Sequence, residues 1–284
     1  MLKQRVITAL VLAIIFIAAL FGLPAGYFSF FIGAIVLIGA WEWANLAGFS
    51  ALWQRCLYTL FILLALFVVS VYLGFDGSGS PALDSHAVQQ LLVAGCVWWA
   101  LALLLVQGYP SSALLWGHKA SRLVIGLLVL LPTWVALVYV RQHTSGAWLV
   151  LLLMLIVAVA DSGGYFAGKR FGRAKLAPAV SPGKTWEGFA GGFVANCVLA
   201  LLLSACLDVS LLLMLALVVP TSLVSVLGDL LESMLKRHAG IKDSGAILPG
   251  HGGILDRVDG VTAAAPVFAL ALLASGAFST TAGF

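Results

Sequence analysis

Charge is scarce in this chain of 284 residues: Asp, Glu, Lys and Arg together make up 9%. About a quarter of an ordinary soluble domain is charged, so that class is excluded, and the mean hydropathy of +1.11 agrees. Cysteine is also rare. Cys56, Cys96, Cys197 and Cys206 form no Cys-x-x-Cys pair, which excludes a zinc cluster or a disulfide framework and leaves buried thiols as the expectation. Ten-residue segments of strict polar–apolar alternation are missing too, which excludes a transmembrane β-barrel. The formal net charge of +4 comes with no element able to read bases, so no nucleic-acid partner is expected.

Present instead are apolar runs close to the roughly 20 residues that cross a bilayer as helix. Backbone groups in lipid must be satisfied within the segment, which predicts an all-α, polytopic integral membrane helix bundle. Nine spans are expected, at about Val6–Leu20, Tyr27–Ala44, Leu57–Leu73, Val88–Val106, Leu123–Val140, Trp148–Ser162, Phe189–Ser204, Leu211–Leu227 and Val261–Gly276. The first follows Lys3 and Arg5 and lacks a small-x-small cleavage site, as a retained anchor would. This division puts Lys3, Arg5, Arg55, Lys119, Arg122, Lys169, Arg170, Arg173, Lys175, Lys184, Lys236, Arg237, Lys242 and Arg257 on one side and only Arg141 on the other. The positive-inside rule then predicts a cytoplasmic N-terminus and a periplasmic C-terminus.

Outside the two charged loops, most polar residues have plain readings. Trp41 and Trp43 flank Glu42 near an expected membrane interface, where amphipathic rings anchor a span, so Glu42 reads as an interfacial carboxylate and Arg55 as a headgroup contact. Asp84 and His86 have no third ligand beside them, and Lys119 and Arg122 read as topology signals.

Chemistry concentrates after Trp148. The sixth span runs into Asp161, an anion at an expected helix C-terminus, where it is unfavourable without a compensating cation. Next come Gly168-Lys169-Arg170 and Ser181-Pro182-Gly183-Lys184-Thr185-Trp186-Glu187-Gly188, a mixture of glycine, cations and hydroxyls that suits a polyphosphate. Gly183-Lys184-Thr185 is not a Walker A loop, because Pro178 stands where its first glycine belongs and no preceding strand is evident. Gly188 and Gly192 form a small-xxx-small packing motif.

The stretch from Gly228 to Gly260 holds Asp229, Glu232, Lys236, Arg237, Lys242, Asp243, Asp256, Arg257 and Asp259. Ionisable groups near membrane depth are expensive and point to function. Asp256 and Asp259 lie three apart, so a helical turn would aim both the same way. With Asp229 they offer a seat for a divalent ion of the oxygen-loving kind, while Gly252-Gly253 after His251 allow a close backbone approach.

These patterns resemble the phosphatidate cytidylyltransferases. The resemblance rests on Ser233-x-x-Lys236-Arg237, Lys242-Asp243 and Leu248-Pro249-Gly250-His251-Gly252-Gly253-x-x-Asp256-Arg257-x-Asp259, with Tyr165-Phe166-x-Gly168-Lys169 and the Ser181–Gly188 motif in support. Gly183 departs from it, since the family often has another lysine there. The resemblance implies transfer of CMP from CTP to phosphatidic acid in an inner membrane, a magnesium requirement of one or two ions, and a homodimer. On that reading Asp229, Asp256 and Asp259 hold metal, with Asp161 as an outer ligand. Lys236, Arg237, Arg257 and His251 serve catalysis together with Asp229, Asp256 and Asp259, and Lys169, Ser181, Lys184, Thr185, Glu187, Lys242, Asp243, Gly252 and Gly253 bind substrate. A single integral membrane domain, 1–284, would then consist of a span-rich half, 1–147, and a catalytic half, 148–284. An anion transporter and a lipid kinase are the competing classes.

Overall fold

A computed structural model describes residues 2–75, 83–248 and 252–276. The chain runs through α1 (Leu2–Gly22), α2 (Ala25–Leu46), α3 (Leu52–Tyr72) and α4 (Ser85–Gln107). A single turn, α5 (Ala113–Trp116), leads into α6 (Lys119–Arg141) and α7 (Gly146–Phe171). Strands β1 (Lys175–Ala177) and β2 (Ser181–Thr185) form an antiparallel hairpin before α8 (Trp186–Leu207), α9 (Leu211–Ala239) and α10 (Leu255–Ser275). Eight helices, α2 to α4 and α6 to α10, are long and apolar enough to cross a membrane, and α1 has a shorter apolar segment, Ile7–Gly22. The protein is a multi-pass membrane helix bundle.

Each expected span coincides with a helix, but the ends differ where they matter. The helix containing Asp161 continues for ten residues beyond it, so Asp161 is interior to α7 and not at its C-terminus. Its Gly163 and Gly164 do not break the helix, because they serve a close crossing with α8. A Cβ on Gly192 would sit 2.5 Å from the Ala160 carbonyl oxygen, and one on Gly188 would sit 2.7 Å from that of Gly164. In a membrane such small-residue seams let backbones approach. Gly192→Leu should therefore cost more than the roughly 1–3 kcal/mol typical of overpacking and lower the unfolding temperature in detergent. Gly183→Ala, whose Cβ meets nothing within 4 Å, should leave it unchanged.

α6 and α10 are the most enclosed spans and α3 and α8 the least. Lipid-facing exposure explains a further correction. Cys56 and Cys206 are exposed and Cys96 and Cys197 half-buried, so none of the four thiols sits in the core, and all are free.

The N-terminal basic and aromatic residues hold the bundle together. Trp43 is buried and donates to the Arg122 carbonyl at 2.8 Å, while the Arg122 guanidinium, also buried, donates to Leu46 O. Arg55 donates to Trp41 O and covers that ring. Trp43 is thus packed inside the bundle and not at the interface expected for it. On the opposite side Arg141 donates to Leu20 O and Leu23 O, and Asp84 caps α4 through the amides of His86 and Ala87.

Candidate active site

The connectors α2–α3, α4–α6, α7–α8 and α9–α10 gather on one face of the bundle. Asn45 reaches Ser244, the Arg122 side chain reaches Leu46, and His238 packs on Trp116. There the α7–α8 connector, expected as a loop, folds into the β1–β2 hairpin, with Lys175 opposite Thr185. Gly183-Lys184-Thr185 is thus strand, which disposes of a phosphate loop for a second reason. The hairpin is tied down at both ends. Thr185 Oγ1 accepts from Gly188 N at 3.1 Å as the N-cap of α8, a role that hydroxyl residues favour. The Glu187 carboxylate accepts from the amides of Arg173 and Ala174. Arg237 donates to Val180 O at the hairpin turn. Thr185, Glu187 and Arg237, expected to meet substrate, thus have backbone partners that shape the hairpin.

Beneath the hairpin lies a cavity of about 510 Å³ between α7, α8 and α9. Asp161, Lys169, Ser181, Lys184, Thr185 and Asp229 border it, and Phe189, Phe193, Leu223 and Val226 give it an apolar wall. Lys184 Nζ is 2.6 Å from Asp229 Oδ2, and Asp229 Oδ1 accepts from Ser233 Oγ at 3.0 Å. Asp161 lies within electrostatic reach of both Lys184 and Asp229. Asp259 feels Asp229 and Lys184 as well. That last approach has a backbone cause. Gly228 packs directly on the Asp259 carbonyl, a spacing that leaves no room for a side chain. Asp229 from α9 thus pairs with the lysine from β2, and Asp161 from α7 and Asp259 from α10 lie within electrostatic reach of that pair.

A second cluster lies beside the first, along α9 and the connector to α10. Lys236 Nζ bonds Asp256 Oδ1 at 2.8 Å and lies 3.4 Å from Glu232 Oε1. The Asp256 carboxylate also accepts from Ser244 N and Gly253 N. Here Asp256, expected as a metal ligand, and Lys236, expected at phosphate, are paired with each other, and Asp256 holds the amides of Ser244 and Gly253. Glu232 is buried, and neither of its oxygens has a hydrogen-bond partner among the described residues. Lys242, Asp243 and Arg257 are exposed around this connector. Gly252 takes a φ of +80°, a backbone position that favours glycine. His251 lies outside the described residues. Among the described residues no three His, Cys, Asp or Glu side chains lie together closely enough to hold a metal ion by themselves.

Two further residues belong here: Asn45, which the sequence reading missed, and Glu42, which it read as interfacial. Glu42 is fully buried and accepts from Ile254 N at 3.0 Å and Leu255 N at 2.9 Å, with Ser244 Oγ at 3.5 Å. Asn45, one turn on, donates to Ser244 O at 3.4 Å. The signal was available. Glu42 is the only acidic residue before Phe75, and a lone carboxylate in an apolar helix is expensive unless paired.

With this geometry in place, a family model described as the cytidylyltransferase family matches residues 3–275. A phosphatidate cytidylyltransferase of Pseudomonas aeruginosa is 47% identical over 289 residues, covering 97% of this chain and 98% of the relative. One of Haemophilus influenzae is 40% identical over 281 residues, covering 94% and 97%. A third, of Staphylococcus aureus, is 42% identical over 139 residues, covering 48% and 54%. The chain belongs to the cytidylyltransferase family, alongside the phosphatidate cytidylyltransferases.

Proposed function

We infer that this protein transfers CMP from CTP to phosphatidic acid, giving CDP-diacylglycerol and pyrophosphate for phospholipid synthesis, and that it does so in the cavity beneath the hairpin. The observation that carries the placement is the Lys184–Asp229 pair in a cavity with an apolar wall, with Asp161 on the same lining and Asp259 within electrostatic reach. Phosphate chemistry needs the polar mouth, and a diacyl substrate needs the wall.

In the reaction a phosphatidate oxygen bonds to the α-phosphorus of CTP as the bond from that phosphorus to the bridging oxygen breaks, and the electron pair leaves on pyrophosphate. Both reactants are anions, so their repulsion must be offset before they meet. Lys184 supplies a partly exposed ammonium at the mouth, with Lys169 on the same rim. When phosphate enters, Lys184 exchanges Asp229 for a phosphate oxygen, and Asp229 is freed. No general base is required, because the phosphatidate nucleophile is already anionic.

The donor set fits magnesium held partly by protein. Asp161 and Asp229 on the cavity lining, with Asp259 within electrostatic reach of Asp229, offer carboxylate oxygens, and magnesium usually completes its shell with water and substrate phosphates. When bound, magnesium would neutralise phosphate charge and stabilise the leaving pyrophosphate. Asp256 enters that shell only by giving up Lys236, Ser244 and Gly253.

The positive-inside rule, applied to the fourteen basic residues that the span assignment puts on one side, supports a cytoplasmic setting for this face, where CTP is available, and a bacterial inner membrane is the corresponding location. A homodimer completes the reading, with no nucleic-acid partner. Purified protein incubated with phosphatidate, labelled CTP and magnesium should yield lipid-linked CMP and pyrophosphate. ATP-dependent lipid phosphorylation, or solute flux without nucleotide turnover, would overturn the reading.

A further inference from the structure

We propose that Glu42, on a helix far from the cavity in sequence, is a positioning residue for the transfer: it holds the start of α10 so that Asp259 stands beside Asp229. The proposal rests on the reading that these aspartates serve CMP transfer. Its own basis is geometric. Helix α10 begins without a side-chain cap of its own, its N-cap residue being Ile254. The first amide groups of a helix need acceptors. Here both oxygens of one carboxylate, from a residue 212 positions away, take Ile254 N and Leu255 N.

The surroundings are built around that carboxylate. A Cβ on Gly245 would lie 2.5 Å from Glu42 Oε1, and one on Gly253 would lie 2.6 Å from Oε2. Glycine at both positions lets the connector close over Glu42. Asn45 and Glu42, one turn apart on α2, hold the Ser244 carbonyl and hydroxyl respectively. The Ser244 amide passes the hold on to Asp256, which lies one helical turn before Asp259. A fully buried carboxylate whose partners are two backbone amides and a serine hydroxyl has no face open to substrate. Its effect is to set where α10 starts.

Glu42→Gln preserves volume but leaves one acceptor oxygen, so an amide NH₂ faces either Ile254 N–H or Leu255 N–H. The helix start then shifts without losing its packing. Misplacing a group by about 1 Å can lower a rate on the order of a hundredfold, so kcat should fall about 10- to 100-fold. KM for CTP should stay within about twofold, the signature of an interaction realised in the transition state. The full-length protein in detergent should also exchange the Ile254 and Leu255 amide hydrogens faster. Gly245→Ala, which pushes on Glu42 from the other side, should reproduce both effects and serves if Glu42→Gln does not fold. Normal kcat in a folded variant, or a loss seen only in KM, overturns the positioning role. Unchanged exchange at 254–255 overturns the clamp itself. Lack of CMP transfer by the unsubstituted protein would instead remove the functional reading beneath it.

Discussion

Asp229→Asn should lower kcat/KM for CMP transfer on the order of 10³-fold while leaving the helical fold intact. Asp229 is the carboxylate that joins the hairpin to the cavity. It pairs with Lys184 from the hairpin, accepts from Ser233 on its own helix, and feels the charges of Asp161 and Asp259. Asparagine keeps the size and one acceptor for Ser233, so packing around α9 is preserved. What disappears is the negative charge, and with it the strongest candidate for binding a divalent cation next to the phosphates. Removing one group that stabilises charge in the transition state costs about 3–4 kcal/mol in other enzymes, and loss of a metal ligand is at least as severe. Turnover measured against magnesium concentration checks this. A folded Asp229→Asn protein with near-normal turnover and an unchanged magnesium response would remove Asp229 from the reaction.

Asp256→Asn should behave differently, although the two aspartates look alike in sequence. Asp256 ties Lys236 and two backbone amides together. Its loss would free the connector as well as slow turnover, so thermal stability should fall along with activity. A hydrogen-bonded partly buried charge typically contributes about 1.5–3 kcal/mol. Unfolding in detergent separates the two cases.

Why some of this could be read from residues and some could not has a physical explanation. The spans follow from hydropathy alone, since a segment in lipid must satisfy its own backbone. The glycine seam between α7 and α8 was signalled by Gly188 and Gly192. Local pattern failed where a partner lies far along the chain. Asp161 looked like a helix end because the expected span stops at Ser162, yet the helix runs on to Phe171 with Gly163 and Gly164 accommodating α8. Glu42 looked interfacial because its tryptophan neighbours were visible and its amide partners, some 210 residues away, were not. Asp256 and Asp259 looked equivalent because spacing reports a shared face and says nothing of which carboxylate the connector already occupies. The hairpin was hidden for the opposite reason: five residues of Ser-Pro-Gly-Lys-Thr carry no strand alternation, and Thr185 and Glu187 stabilise it through backbone contacts.

Lys184→Ala is the second large effect, expected to lower kcat/KM for CTP about a hundredfold. Lys184 is the basic residue whose ammonium directly contacts a cavity carboxylate, and at 24% side-chain exposure it remains reachable from the cavity mouth. Lys236 is held by Glu232 and Asp256, and Arg237 faces Val180 O. Lys169 shares the rim but lies over the Tyr165 ring. The adjacent Gly183 contributes no charge, so removing Lys184 leaves the inner mouth acidic, with Asp161 and Asp229 facing incoming phosphates. Repulsion should then appear first in KM for CTP and ease as ionic strength rises, because salt screens exposed charges. Lys184→Arg restores the charge but places a planar fork where a compact ammonium fitted against one carboxylate oxygen, so partial recovery is expected. Steady-state kinetics at two salt concentrations decide the matter: a CTP response identical to that of the unsubstituted protein would place the phosphates elsewhere, and the hairpin would then be only a cover over the cavity.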